Sequence, residues 1–403
     1  MIKGNHKRLR QLMSDQGLDA IIAFTPLNMQ YLSGYQPPSG VLGDIGAYSA
    51  TFTLDASYEA GLIIGEFDAT WAGLISGSQD VRPLQLWVEI ENRDDLLAGR
   101  TTIREKKEQF DWDQVFTHLR GVLGDRGLLA GQIACELGEL PGHLRDRLET
   151  EFPEVQWKDA HRILGAAKEL KTAEEIVALR RSVELAELGL RAALLDQDPR
   201  GRTASQLRND FELAVRNELS RHPETDGYQG ARVFLTVGGT IGPNVTRDIT
   251  RVADGHVIWI DCAVTIDGYQ SDIGRTIAVG QVAPLVERIA AALEAGSASG
   301  YDALAVGVPM HEIYDVTQRT IRAHGLPTYT RGHFGHAIGL GGGEHPPFIS
   351  PRQTRAFEAG MVFAYERPLY IRGTGGFQFE DNLIVHSDKI EKLNRIPYEM
   401  IRV

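Results

Sequence analysis

A chain of 403 residues, 42% hydrophobic and 24% charged, has material for two or three domains and the ordinary composition of a soluble globular protein. Its formal net charge of -12 repels phosphate backbones and sets nucleic acid aside as a partner, although carboxylates that await a metal also swell that count. Only two cysteines occur, Cys135 and Cys262, which excludes a disulfide framework and points to a reducing cytoplasm.

The basic opening MIKGNHKRLRQLMSDQGLDA lacks the apolar core of a signal peptide, and no run approaches the ~20 apolar residues of a membrane span. Residues 5–17 read as a helix with Leu9, Leu12 and Met13 on one face and Gly17 as its stop. LDAIIAF (18–24) suits a buried strand, and NMQYLSGY (28–35) a short helix or turn. Strand-like runs recur at 61–67 and 127–137, the second interrupted by Gly131, with helices over 112–123 and 140–151. This alternation predicts an α/β domain over residues 1–160. Thr172 and Glu175 then form a capping-box pattern at the head of a long helix. From residue 161 to 403 the texture is α+β. Helices at 172–195 and 203–220 precede strands at 233–237, 256–264 and 275–280. Helices at 283–305 and 310–324 precede strand-like VFAYERPLYI (362–371) and FQFEDNLIVH (377–386). Strands and helices thus recur twice, as in a pseudo-duplicated core.

Four segments of this second half carry acids or histidine where plain structure would not want them. In VIWIDCAVTIDGYQSDIGRT, Asp261 ends an apolar run and Asp272 lies eleven residues on, beyond an Asp267-Gly268 turn. A hairpin there would bring both carboxylates to one point, where they repel unless a cation or proton intervenes. RGHFGHAIGLGGGEHPPF packs three histidines and a glutamate into the thirteen residues from His333 to His345. Glu366 follows the apolar run MVFAY, and Glu380 with Asp381 interrupts another such stretch. A glutamate inside a buried strand must be paired, protonated or metal-bound. A cap or a surface ion pair would explain one of these acids, but hardly all. Four carboxylates and one imidazole suit Mn²⁺, Co²⁺, Fe²⁺ or Zn²⁺, and exceed what a single catalytic ion usually needs. Two divalent ions holding a hydroxide between them are the expectation.

These residues resemble the creatinase–prolidase–methionine aminopeptidase superfamily, the pita-bread fold, along nearly the whole chain. RLRQLMSDQGLDAIIAF with NMQYLSGY is similar to the creatinase-type N-terminal domain, and LKTAEEIVALRRSVELAELGL to the helix opening the catalytic domain. IDCAVTIDGYQSDIGRT, GHAIGLGGGEHPP, GMVFAYERPLY and FEDNLIV match the metal-ligand motifs in order. The resemblance implies Asp261, Asp272, His336, Glu366 and Glu380 as ligands of two metals. It also implies Glu366 as the proton shuttle, and His333 or His345 as a support for the oxyanion. Three departures concern substrate binding. No histidine lies in VGGTIGPNVTRD, where Asn244 or a neighbour takes its place; Gly343 replaces a second histidine while Glu344 is kept and His345 is displaced by one; and Gln378 stands where arginine is usual. The implied activity is that of an Xaa-Pro dipeptidase or aminopeptidase on small peptides. The alternatives are the same centre hydrolysing an ectoine-type ring or acting as a dimethylsulfoniopropionate lyase, or a non-catalytic binding protein. Relatives of the creatinase type also imply a homodimer, with the Gly/Pro-rich loop 36–52 reaching a partner's site.

Overall fold

The computed structural model describes residues 2–38, 45–100, 105–222, 227–242 and 249–403, and two compact units divide the chain, Met1–Lys168 and Glu169–Val403. The expected loop over 36–52 lies partly outside the described residues, and Asn244 wholly so.

In the first unit, α1 (His6–Asp15) begins where the Asn5 side chain accepts the Arg8 amide, and it buries Leu9 and Met13. Gly17 ends it with φ at 64°. The entirely buried β1 (Ala20–Ala23) follows. Then come α2 (Pro26–Ser33), β2 (Ser49–Thr53), β3 (Gly61–Gly65), α3 (Ala69–Ser76), β4 (Val81–Leu84) and α4 (Arg93–Leu97). The unit closes with α5 (Trp112–Asp125), β5 (Gln132–Cys135), α6 (Gly142–Glu151), β6 (Gln156–Asp159) and α7 (His161–Lys168). Among the described residues the strands form one mixed sheet in the order β4-β3-β2-β1-β5-β6. The run 127–137 yields strand only from Gln132, whose amide is the first to find a partner beyond the turn, Asp19 Oδ2 at 2.8 Å. The domain boundary expected between 160 and 161 falls just before α7. That helix packs on α1, with Arg8 Nε donating to the Ala166 carbonyl at 2.9 Å, and the compact unit runs on to Lys168.

This unit buries one carboxylate of note. Glu136 accepts from the Phe24 amide at 2.6 Å, the Thr25 amide at 2.9 Å and Thr25 Oγ1 at 2.6 Å, and from Asn28 Nδ2. It thereby ties down the turn that leads into α2, at the end where the helix dipole favours an anion.

The second unit opens with α8 (Ala173–Leu194) and α9 (Ala204–Arg221), each under a complete capping box, Thr172 with Glu175 and Thr203 with Gln206. β7 (Tyr228–Val237), β8 (Val257–Ile266), β9 (Tyr269–Gln270) and β10 (Ile273–Ala278) lead to α10 (Pro284–Ala303) and α11 (Met310–Ala323). β11 (Gly335–Ala337), β12 (His345–Phe348), β13 (Val362–Glu366), β14 (Leu369–Ile371), β15 (Gly375–Phe377), β16 (Glu380–Val385), β17 (Ile390–Lys392) and β18 (Ile401–Arg402) complete it. The main sheet runs β12-β11-β13-β16-β10-β8-β7, antiparallel along that path. Leu190 and Phe211 from α8 and α9 pack on Ile258 and Ile260, while Leu293 and Ile313 from α10 and α11 pack on Phe363 and Leu383. Two helix pairs therefore cover neighbouring halves of one sheet face.

The strand expected over 362–371 is two strands. Pro368 has no N–H for the ladder, so β13 stops at Glu366 and β14 turns away to pair with β15. The run 377–386 is likewise cut, because Phe377 belongs to β15 and β16 starts at Glu380. Both glutamates consequently sit where the sheet parts.

Candidate metal centre

Register alone assembles most of the cluster. Asp261 pairs with Gly274 across β8 and β10, Gly274 with Glu380 across β10 and β16, and Glu380 with Glu366 across β16 and β13. Directly paired residues point to one face, and successive residues alternate. Ile260 and Tyr365 face the helices, so Asp261 and Glu366 face away from them. Asp272, two residues before Gly274, reaches the same region after a turn in which Asp267 and Gly268 take φ of 50° and 84°. His336 pairs with Ala364, two residues before Glu366, and joins the same face. The expected hairpin between Asp261 and Asp272 is present.

Gly274 matters for what it lacks. A Cβ there would lie 1.9 Å from Gln378 Cγ and 2.9 Å from Glu380 Oε2. The bare backbone lets the Gln378 side chain and the Glu380 carboxylate lie directly against it.

His336 Nε2 lies 3.8 Å from Asp272 Oδ2 and 4.0 Å from Glu380 Oε1. These three buried residues each offer a donor atom within 4.8 Å of the others. A second group, His333, Glu344 and Glu366, meets the same limit. His333 Nε2 lies 3.0 Å from Glu344 Oε2 and its Nδ1 3.5 Å from Glu366 Oε1, while Arg331 Nη2 donates to Glu366 Oε1 at 3.0 Å. Gln378 Nε2 donates to Glu380 Oε2 at 2.8 Å and to Glu366 Oε2 at 3.2 Å. Asp261 belongs to neither group. Arg232 Nη2 joins it to Asp272, at 3.1 Å from Asp261 Oδ1 and 2.5 Å from Asp272 Oδ1. His345 opens β12 opposite Ala337 and is likewise in neither group. Glu344 is 55% exposed along its side chain.

Crowding dominates the electrostatics. Burial, then the charge of Asp272, pushes the Asp261 carboxyl well above the usual carboxylate range. Burial, then Asp272 and Glu366, does the same to Glu380, and burial raises Asp272. Burial lowers the His333 imidazole, favouring its neutral form. Asp381, next to Glu380 but on the opposite face, shows how a buried acid is settled within the protein. It takes Arg275 Nη2 and the Tyr301 hydroxyl, both at 2.5 Å. Among the described residues the cluster has fewer cations than acids, and a divalent ion would relieve the repulsion. Its donors, carboxylate oxygens plus a single imidazole, fit such an ion.

The matches to known proteins bear on this arrangement. The model of metallopeptidase family M24 matches residues 177–387, which hold all five expected ligands, and that of the creatinase/prolidase N-terminal domain matches residues 6–69. The chain belongs to metallopeptidase family M24. This M24 chain is 26% identical over 235 residues to the uncharacterized peptidase YqhT of Bacillus subtilis, covering 58% of this chain and 64% of that one. The chain thus spans just under two thirds of that relative's length. It is 23% identical over 248 residues to an Xaa-Pro dipeptidase of Pyrococcus furiosus, covering 61% and 69%. An Xaa-Pro dipeptidase from Bacillus anthracis shares the fold with a TM-score of 0.78 at 18% identity over 99% of both chains. An X-Pro aminopeptidase from Thermotoga maritima shares it at 0.76 and 19% over 100% of both. The pita-bread architecture expected from the motifs is therefore the fold of this M24 chain.

Sequence reasoning passes over three residues that the M24 site brings forward. Arg232 and Gly274 stay hidden because strand register, not proximity along the chain, places them beside the acids. Along β7, Arg232 and Phe234 alternate with Ala231 and Val233, and only the pairing of Phe234 with Asp261 reveals which side the arginine takes. Arg331 stands two residues before His333 and is legible as part of the same polar turn.

Proposed function

We propose that this chain is a metal-dependent peptidase that hydrolyses the amide bond of Xaa-Pro dipeptides, with Asp261, Asp272, His336, Glu366 and Glu380 as the metal ligands. The carrying observation is the convergence of four carboxylates and one buried imidazole on one sheet face, with too few cations among the described residues to neutralise them. A bound divalent ion would polarise the scissile carbonyl and ease deprotonation of the attacking water. The ligand count suits as many as two ions, and manganese is the first metal to try.

The protein's own groups supply the proton work. Glu366, its Oε1 toward Arg331 and His333 and its Oε2 toward Gln378, takes the proton from the water and returns it to the leaving nitrogen. Arg331 and Gln378 hold that carboxylate in place. His333, kept neutral by burial and oriented by Glu344, supports the developing oxyanion. Glu344, Gln378 and Asn244 complete the substrate contacts in this reading, and His345 is a further candidate on the β12 strand. A cytoplasmic homodimer acting on short peptides completes the proposal.

The deciding experiment incubates protein reconstituted with Mn²⁺, Co²⁺ or Zn²⁺ with Xaa-Pro dipeptides and Xaa-Pro-Yaa peptides. Cleavage of dipeptides but not of tripeptides supports the dipeptidase reading. Cleavage of tripeptides alone makes the enzyme an aminopeptidase, and cleavage of neither rejects Xaa-Pro specificity.

A further inference from the structure

We propose that Arg232 takes the place of one cation in this centre, so that each chain holds a single divalent ion, on Asp272, His336 and Glu380, with Asp261 bound to the guanidinium instead. The inference rests on the metal reading above and narrows it. Arg232 and Phe234 lie on the same face of β7, and Phe234 pairs with Asp261, so the strand register aims the arginine at the cluster. One nitrogen, Nη2, bridges the two aspartates, 3.1 Å from Asp261 Oδ1 and 2.5 Å from Asp272 Oδ1. The guanidinium also lies 4.9 Å from the Phe234 ring centroid, a second contact that fixes its direction. Arginine keeps its charge under all ordinary conditions, so it acts as a permanent cation.

The other aspartate oxygen is left for metal. Asp272 Oδ2, not Oδ1, is the atom that faces His336 Nε2, at 3.8 Å. Asp272 is thereby divided between guanidinium and imidazole, and Asp261 stays outside the Asp272–His336–Glu380 group. Charge gives an independent argument. Asp261, Asp272, Glu366 and Glu380 carry four negative charges, and Arg232 and Arg331 return two. One divalent ion neutralises the set. A second would leave it positive even with a bound hydroxide counted, and would sit against a guanidinium on the same two carboxylates.

The test counts metal. Full-length protein is stripped with chelator, titrated with Mn²⁺ or Zn²⁺ alone by calorimetry, and its retained metal is measured after gel filtration. Wild type is expected to hold about one ion per chain, with any second ion bound more than tenfold more weakly. Arg232→Met should admit a second ion, and Arg232→Lys should not. Asp261→Asn should keep the first ion with affinity changed less than threefold, whereas His336→Ala should lose it. The Asp261→Asn result decides the matter even if Arg232→Met fails to fold. Two ions of comparable affinity in wild type, or loss of the first ion in Asp261→Asn, overturns the proposal. Wild type that binds no metal overturns the metal reading itself, a result distinct from either.

Discussion

Each unit buries glutamate inside an α/β layer, and the two solve the resulting problem in different ways. Glu136 in the first unit is met by two backbone amides, a hydroxyl and an amide side chain at the head of α2. Glu380 in the second unit, 2% exposed, receives Gln378 Nε2, has His336 Nε2 4.0 Å away and is crowded by Asp272, Glu366 and Asp261. A buried acid met by several neutral donors of its surroundings is structural, because little is left over for a ligand. A buried acid whose neighbours are other acids is unstable until something cationic arrives. The difference is one of donors, not of burial, since both glutamates are almost wholly enclosed.

The largest effect should come from removing what the second unit is short of. Chelation should abolish peptidase activity, and Mn²⁺ or Co²⁺ should restore it. Metal analysis showing none of these ions retained after reconstitution would end the metal interpretation. Glu366→Gln ranks next. Glutamine is nearly isosteric and still offers an oxygen, so substrate affinity should hold while turnover falls by roughly 10²–10⁴-fold, the usual worth of general acid–base help. Glu344→Gln, at an exposed side chain that meets the site through His333, should be milder. Steady-state kinetics at saturating metal separates the two, and near-full turnover in Glu366→Gln would remove it as the proton carrier.

How far the sequence reaches follows from the same contrast. Asp261, Glu366 and Glu380 are legible because each interrupts an apolar run, and an acid in such a run always needs a reason. Glu136 follows the apolar run ending at Cys135 in the same manner, yet it holds the turn before α2. The sequence does not show which amides will point at an acid 112 residues distant in the chain. The split of 362–371 at Pro368 is open to inspection, because a residue without an N–H cannot continue an inner strand. Arg232 is not, since its meaning depends on a register set between β7 and β8.

Glu136→Ala tests the structural side of the comparison. It strips partners from the buried Phe24 amide and the Thr25 amide together, so stability should drop by about 2–4 kcal/mol, while metal content stays unchanged. Thermal unfolding beside metal analysis reads both. A loss of metal with unaltered stability would reverse the roles assigned to the two glutamates.

The smallest effect concerns His6, a second group of the first unit that is met from within it. Its ring packs 4.6 Å from the Phe52 ring, and Nε2 lies 3.0 Å from the Tyr31 carbonyl, so the neutral imidazole donates there. Burial, opposed by that hydrogen bond, lowers its pKa from 6.5 to about 4. A histidine with a depressed folded pKa contributes stability above the unfolded value, and that contribution is lost as pH falls toward the folded one. The window therefore runs from pH 6.5 down to about 4. Near the middle of it the expected loss is about 2 kcal/mol, since each pKa unit is worth about 1.4 kcal/mol. Many carboxylates also titrate at the acid end, so the informative quantity is a difference. His6→Gln can still donate to the Tyr31 carbonyl but carries no titrating ring. Its melting temperature should fall less steeply with acidification than that of wild type. Parallel slopes for the two proteins would show that His6 titrates alike in the folded and unfolded chains, and that the first unit does not hold it neutral.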